Sequence, residues 1–239
     1  MQACFLLRQS QVFAVFSVAL CGCVFFTPLL KGNGLERNGV GARSLSMGGA
    51  SVADTDDAFS SMTLNPSALG FLKAPDLFLS GTAVSASGNF RDQFGDTGRL
   101  SEQWLAIPDI VARTPLSEDL ALGFSVVPDS SRQADWHFQD PPGGAGGHTS
   151  YGYQQYHSEI LNVRAALGLG LRLSDSWSFG ASVGGVYNRN ELKVPYIFQS
   201  HPALAGMKTL LDMETDGYGI NGDLGLTWKA SKDLTFGLS

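Results

Sequence analysis

Several groups of side chains in this chain have the types and spacing that chemistry requires. Gly180-Ala181-Ser182-Val183-Gly184 matches the G-x-S-x-G elbow of serine hydrolases, where the serine sits on a sharp strand-to-helix turn. Gly217-Tyr218-Gly219-Ile220-Asn221-Gly222 matches the phosphate-cradling G-x-G-x-x-G, which needs a helix directly after it. Asp54, Asp56 and Asp57 offer clustered carboxylates to a calcium ion. His137, His148, His157 and His201 offer bases or metal ligands. Arg164 and Arg172 could grip a carboxylate through paired hydrogen bonds.

The elements around these groups decide among the readings. Alternation of apolar and small residues runs unbroken through Ser182, and residues 223–229 read as strand, so neither glycine motif has the turn or helix it needs. The three aspartates lack the rest of a calcium loop, and the histidines are scattered around long loops. No catalytic residue, metal site or cofactor is expected. Arg164 and Arg172 face the small, polar side of a strand, where a neighbouring acid such as Asp223 is the favoured partner and a ligand carboxylate the sharper alternative.

That strand shows the parity most clearly. Every odd position of Leu161-Asn162-Val163-Arg164-Ala165-Ala166-Leu167-Gly168-Leu169-Gly170-Leu171-Arg172-Leu173 is apolar, and every even one is small or polar. Successive side chains alternate faces on a strand, so one face is greasy and the other is not. The next strand puts Trp177, Phe179, Val183 and Tyr187 on one face, and a third puts Tyr218, Ile220, Leu224 and Trp228 together. Trp177 and Tyr187 are ten residues apart on one face, and Tyr218 and Trp228 repeat the spacing in reverse order. Ten residues at roughly 3.3 Å, tilted about 40°, rise about 25 Å, the height of the apolar band on a membrane barrel. Both tryptophans fall at one end and both tyrosines at the other, as two aromatic girdles would.

A repeated phrase gives the wiring. Leu116-Ser117-Glu118-Asp119, Leu173-Ser174-Asp175-Ser176 and Ala230-Ser231-Lys232-Asp233 each lead into an alternating strand, with serines at 117, 174 and 231. The even spacing leaves room for two strands and one long loop between copies. Tight turns at one end and long loops at the other describe an outer-membrane barrel. Strands are expected near 76–88, 103–114, 119–128, 157–173, 176–190, 217–230 and 233–239. The fold class is therefore all-β, an antiparallel transmembrane β-barrel of which about seven strands are present, with a small N-terminal plug. Because an open edge in lipid leaves backbone groups unpaired, the sequence reads as the N-terminal part of a longer barrel.

Composition fits this reading. A formal charge of −6 and a pI near 5.1 argue against a nucleic-acid partner. Arg8 followed by Val12–Leu20, an apolar run ending in small residues, reads as an export signal over residues 1–30, cleaved between 22 and 32. All three cysteines, Cys4, Cys21 and Cys23, lie in that segment, so disulfides are not expected in the mature protein, and Cys23 is a loose candidate for lipidation. Residues 31–73 do not alternate. They hold a glycine-rich stretch, then the short helical Ala58-Phe59-Ser60-Ser61-Met62, and the turn Asn65-Pro66-Ser67. Residues 74–239 supply the strands.

Gly41-Ala42-Arg43, Met47-Gly48-Gly49-Ala50, Ala53-Asp54, Asp57-Ala58 and Asn65-Pro66-Ser67 together resemble the N-terminal hatch of the FadL family (OmpP1/FadL/TodX type), with Gly48, Gly49, Asn65 and Pro66 at the motif's centre. Ser67 departs from the alanine usual in that family. The resemblance implies an outer-membrane transporter of long-chain fatty acids or other hydrophobic molecules, monomeric and surrounded by lipid. It implies passive diffusion through a hatch-plugged barrel whose wall opens sideways at a kink in the third strand. Gly123 and Pro128 are the residues most able to break that strand's ladder. An interior pocket lined by Phe59, Met62, Leu64, Leu69 and Phe71 is expected. Leu204, Met207 and Leu211 would share one face of a loop helix, as a docking groove. An outer-membrane barrel acting in secretion or assembly is the alternative.

Overall fold

The polar turns, the alternating strands and the apolar face combine into one nine-stranded antiparallel sheet. The structure, a computed structural model, describes residues 37–239 apart from Phe94. The expected export signal, its cleavage point, the three cysteines and residues 31–36 lie outside the described residues. The strands are β1 (Asp76–Ala86), β2 (Asn89–Arg91), β3 (Thr97–Leu100), β4 (Gln103–Pro115), β5 (Leu120–Gln139), β6 (Tyr153–Arg172), β7 (Trp177–Ile197), β8 (Lys208–Lys229) and β9 (Thr235–Leu238). The main order is β1-β4-β5-β6-β7-β8-β9. The hairpin β2–β3 lies on the long-loop end of β5, where Arg99 and Leu100 pair with His137 and Trp136.

The three repeated phrases fold alike. In each, the serine N–H donates to a carbonyl three residues on: Ser117 to Leu120, Ser174 to Trp177 and Ser231 to Leu234. Each serine Oγ accepts from the backbone inside its own turn, from Asp119 and Leu120, from Ser176 and Trp177, and from Asp233. A short side chain that bonds the backbone two or three residues ahead is what fixes such a turn.

The parity holds. Leu167, Leu169, Leu171, Val183, Ile220 and Leu224 are exposed on one face, while Arg164, Ala166, Ser178, Ser182 and Thr227 are buried on the other. In water a continuous apolar face of this size invites aggregation; in a bilayer it is the lipid-facing wall. The two girdles are cross-strand pairs. Trp177 is registered with Trp228 and stacks on it at 5.3 Å, and Tyr187 is registered with Tyr218 at 5.3 Å. No helix among the described residues is long and apolar enough to cross a membrane.

Two expectations need correction. First, the strands run further toward the long loops than their apolar pattern does: β5 to Gln139, β6 from Tyr153, β7 to Ile197 and β8 from Lys208. Beyond the tyrosine pair the outer face leaves the apolar band, so alternation fades while the backbone ladder continues. Second, Leu204, Met207 and Leu211 do not share a helix. Residues 202–206 are turns and Leu211 lies within β8, opposite Val194. The turn carbonyl of Leu204 accepts from Met207 and Gly206 donates to Phe198, which closes a hairpin loop instead.

The sheet carries one irregularity with consequences. Pro128 pairs with Val163 and Ser130 with Asn162, so Asp129 is an extra residue bulged out of β5. One inserted residue reverses which face each later side chain takes. Before the bulge Ala121, Ser125 and Val127 point to the buried face; after it Ser130, Ala134, Trp136 and Phe138 do.

Candidate functional site: the inner face and an aromatic cleft above it

The described residues before β1, from Arg37 on, include three short helical pieces that lie on the small-residue face of the sheet. Helix α1 (Gly41–Ser46) stops at Met47-Gly48-Gly49. Gly48 and Gly49 have φ of +65° and +85°, a region glycine enters without strain. Their N–H groups return to the carbonyls of Leu45 and Ser44, which is a Schellman stop. Helix α2 (Ser60–Thr63) follows, and then a 3-10 turn, Pro66–Phe71. Asn65 caps that turn, its Oδ1 accepting from the Ser67 N–H at 3.2 Å, with Pro66 in the first helical position where it needs no N–H.

Asn65 also ties this segment to the wall. Its Nδ2 donates to the Val52 carbonyl at 2.8 Å and to Thr227 Oγ1 at 3.2 Å. Ser67 Oγ donates to Asn65 Oδ1 at 2.6 Å and lies 2.7 Å from Thr227 Oγ1. All three side chains are buried. The serine that departs from the family's alanine therefore has a partner on β8. We expect Asn65→Ala to destabilise the seat by about 1–3 kcal/mol, because the Val52 carbonyl and Thr227 hydroxyl lose a buried partner. Amide exchange across residues 65–72 should rise by ten to a hundredfold, and unchanged exchange would contradict the assignment.

The seat beneath the turn is built from glycine. Gly170, Gly180 and Gly225 are registered neighbours on β6, β7 and β8. A Cβ on Gly180 would lie 2.2 Å from the Pro66 carbonyl carbon, and one on Gly225 would lie 2.0 Å from Asn65 Oδ1. Only an absent side chain lets two backbones come this close. Gly123 serves the same end: it stays in register, between Arg113 and Gly168, and makes room for Met62. The register of β5 shifts between Pro128 and Ser130, while Gly123 stays paired.

Phe59, Met62 and Leu69 are buried with Val40, Val111, Ala121, Val127 and Ala166. They pack together between the segment and the sheet, and Leu64 and Phe71 are half-buried beside them. The Phe71 ring carries the Lys229 ammonium 3.9 Å from its centre. Asp54 pairs with Arg43 at 2.5 Å. Burial opposes its charged form, but the bonds from Arg43 and the Asp56 N–H outweigh this and hold the carboxyl below its ordinary range. A lowered folded-state value means stability that is present at neutral pH and lost as pH falls through it.

Two arginines join this segment to the bulge. The Arg37 guanidinium bonds Asp109 at 2.6 and 3.1 Å and the Pro128 carbonyl at 3.2 Å, and its backbone N–H donates to the Asp129 carbonyl. Arg164 lies 3.0 Å from Asp223 and 3.3 Å from Asp129, and also donates to the carbonyls of Met62 and Thr63. Arg164 is thus held by two acids and by the segment's backbone, while its Nε makes no hydrogen bond. Arg172 pairs locally with Asp175 in a turn.

Above the bulge, toward the long loops, the reversed parity gathers a cleft that the sequence did not reveal. Phe90, Ala134, Trp136, Phe138, Tyr156 and Val194 line a cavity of about 370 Å³. Phe90 meets Trp136 edge-on at 5.4 Å and Phe138 at 4.7 Å, and Phe138 stacks on Tyr156 at 3.7 Å. The Tyr156 hydroxyl donates to Asp140, which pairs with buried Lys208 at 2.7 Å and so pins the β5–β6 loop to β8. Trp136 and Phe138, two residues apart, were the available signal. Ending the strand at Pro128 hid it.

The glycine motifs are settled by position. Ser182 lies mid-strand in β7 and donates to Asp223 at 2.8 Å, and Gly217–Gly222 lies within β8. Neither has a strand-to-helix turn.

An apolar outer wall, paired aromatic girdles, serine turns and an inner face holding a folded segment define a bacterial outer-membrane β-barrel. Residues 27–239 match the outer membrane protein transport protein family (OMPP1/FadL/TodX), and the chain belongs to it. Among solved structures it is similar to a FadL homologue of Pseudomonas aeruginosa, at 16% identity and a TM-score of 0.58 over 78% of this chain and 47% of that one. A TodX deletion mutant, a monoaromatic hydrocarbon channel, gives 18% and 0.65 over 83% and 54%. The Pseudomonas putida toluene transporter TodX gives 20% and 0.54 over 74% and 48%. The chain spans about half the length of these structures. No curated protein matches it in sequence.

Proposed function

We propose that the protein carries hydrophobic small molecules, long-chain fatty acids or other hydrophobic compounds, across the outer membrane by passive diffusion. Residues 31–73 act as the hatch of this path and residues 74–239 as its wall, a monomeric barrel held in outer-membrane lipid. The observation that carries the reading is the aromatic cleft. It faces the interior, sits above the seated segment and adjoins the bulge in β5. A hydrophobic molecule would leave water at Trp136 and Phe138. It would then move toward the bulge at Asp129, where missing ladder bonds make sideways opening least costly. Arg37 and Arg164 hold the hatch to that bulge, so a shift of one is felt by the other. The similar toluene transporter and hydrocarbon channel support the ligand class; an apolar cleft by itself discriminates poorly between chains that differ by a methylene.

Trp136→Ala should weaken binding of a fluorescent fatty acid by about tenfold, or roughly 1.4 kcal/mol, in line with losing one buried aromatic contact. A detergent-phase titration tests this, and unchanged affinity would remove the cleft from the path.

A further inference from the structure

We propose that the outer face of the extended strands holds a divalent transition-metal site made by His157, Glu159 and Glu191, with Asp135 orienting the histidine. Sequence order disperses these residues; register assembles them. His157 and Glu159 are two apart on β6 and so share a face, and Glu191 on β7 is directly opposite Glu159. Glu214 on β8 is in turn opposite Glu191, so three carboxylates stand in one row across three strands. Like charges directly opposite one another destabilise a sheet unless cations intervene. Arg189 answers one side of the row, bonding Glu191 Oε1 and Glu214 Oε1. The other side, between Glu159 and Glu191, faces His157 Nε2, which lies 4.0 Å from Glu159 Oε2 and 3.7 Å from Glu191 Oε2. Lys193, opposite His157, is turned to Asp212 at 3.5 Å.

The ligand atoms lie within 4.8 Å of one another. Zinc bonds of about 2.0–2.2 Å bring tetrahedral ligands to roughly 3.3 Å separation, which small rotations of two glutamates would achieve. The histidine is already set for the role. Its Nδ1 is held 2.5 Å from Asp135 Oδ1, so the ring is oriented with Nε2 toward the two glutamates. Asp135 is buried and also accepts from Gln103 and Gln155. A buried carboxylate behind a histidine is the outer-shell arrangement of zinc sites, where it fixes the tautomer and raises ligand basicity. Three protein ligands leave a fourth position open to water. The site stands four residues beyond Tyr187 on β7, about 13 Å along the strand, and so clears the apolar band. A bound cation would neutralise the row and clamp β6 to β7.

The test is zinc titration of the untagged, chelator-stripped protein in detergent, in competition with a chromophoric chelator. One zinc per chain is expected. His157→Ala and the near-isosteric Glu191→Gln should each lower affinity at least tenfold, Asp135→Asn by ten to a hundredfold, and His201→Ala should leave it unchanged. Absence of binding, or equal affinity in the wild type, His157→Ala and Glu191→Gln, would overturn the assignment.

Discussion

Gly180→Val is expected to unseat the Asn65-Pro66-Ser67 turn while leaving the barrel wall intact. The first added carbon falls 2.2 Å from the Pro66 carbonyl carbon, 2.3 Å from the Ser67 nitrogen and 2.4 Å from the Pro66 oxygen. These are backbone atoms, which cannot rotate aside as a side chain can. Overpacking costs about 1–3 kcal/mol, and displacing the turn also breaks the Asn65 and Ser67 bonds to Thr227, each worth about 0.5–1.5 kcal/mol. A total near 3 kcal/mol corresponds to about a hundredfold in population. Amide exchange over residues 60–72 should rise by that order, and hydrophilic solutes should leak through the membrane. Gly185→Val is the control. Gly185 has open space around its Cβ position, so the same side chain there should change neither measurement. Slow exchange at 60–72 in Gly180→Val would show that the glycine row is not the seat.

Deleting Asp129 is expected to abolish the aromatic cleft. With the extra residue gone, β5 would pair continuously with β6 and every later side chain would change face. Trp136 and Phe138 would turn outward, and Asp135 and His137 inward. Binding of a hydrophobic ligand should fall below detection, because the pocket loses two of its aromatic walls at once, and tryptophan fluorescence should no longer respond to ligand. The sheet itself should persist, since a straight ladder gains hydrogen bonds. The same deletion would remove one of the two carboxylates facing Arg164, so the hatch should also loosen, and exchange at Met62 and Thr63 would report it. Retained affinity would mean that the bulge does not place the cleft.

These expectations rest on parts of the molecule that the sequence revealed unevenly. The serine turns and the Trp177–Trp228 and Tyr187–Tyr218 pairs were legible because period-two alternation and turn chemistry are local, and two spacings of ten in opposite order define an antiparallel register. Ser182 was rightly read as an inward small residue for the same reason. The upper halves of β5 to β8 were not legible, because polar residues such as Asn188, Arg189 and Asn190 occupy both faces there. The helix expected at Leu204, Met207 and Leu211 failed because three apolar residues at helical spacing fit a turn followed by a strand equally well. The cleft was hidden by one bulged residue, which resets parity without any mark in composition. His157 stood at the expected start of a strand beside a long loop, and only the register of β6 on β7 brings it to Glu191. The glycine row was visible as small residues, but its partner, the Asn65–Ser67 turn, could be assigned only from contacts 160 residues apart in sequence.

Solute selectivity of uptake bears most directly on the proposed function. Cells with an otherwise tight outer membrane, with and without the protein, should be given a labelled hydrophobic solute, such as oleate or toluene, and a hydrophilic solute of similar size. The protein should speed saturable entry of at least one hydrophobic solute, Trp136→Ala should reduce that entry severalfold, and the hydrophilic solute should be unaffected. Hydrophobic entry that does not depend on the protein, or equal entry of both solutes, would contradict a transport path through the aromatic cleft.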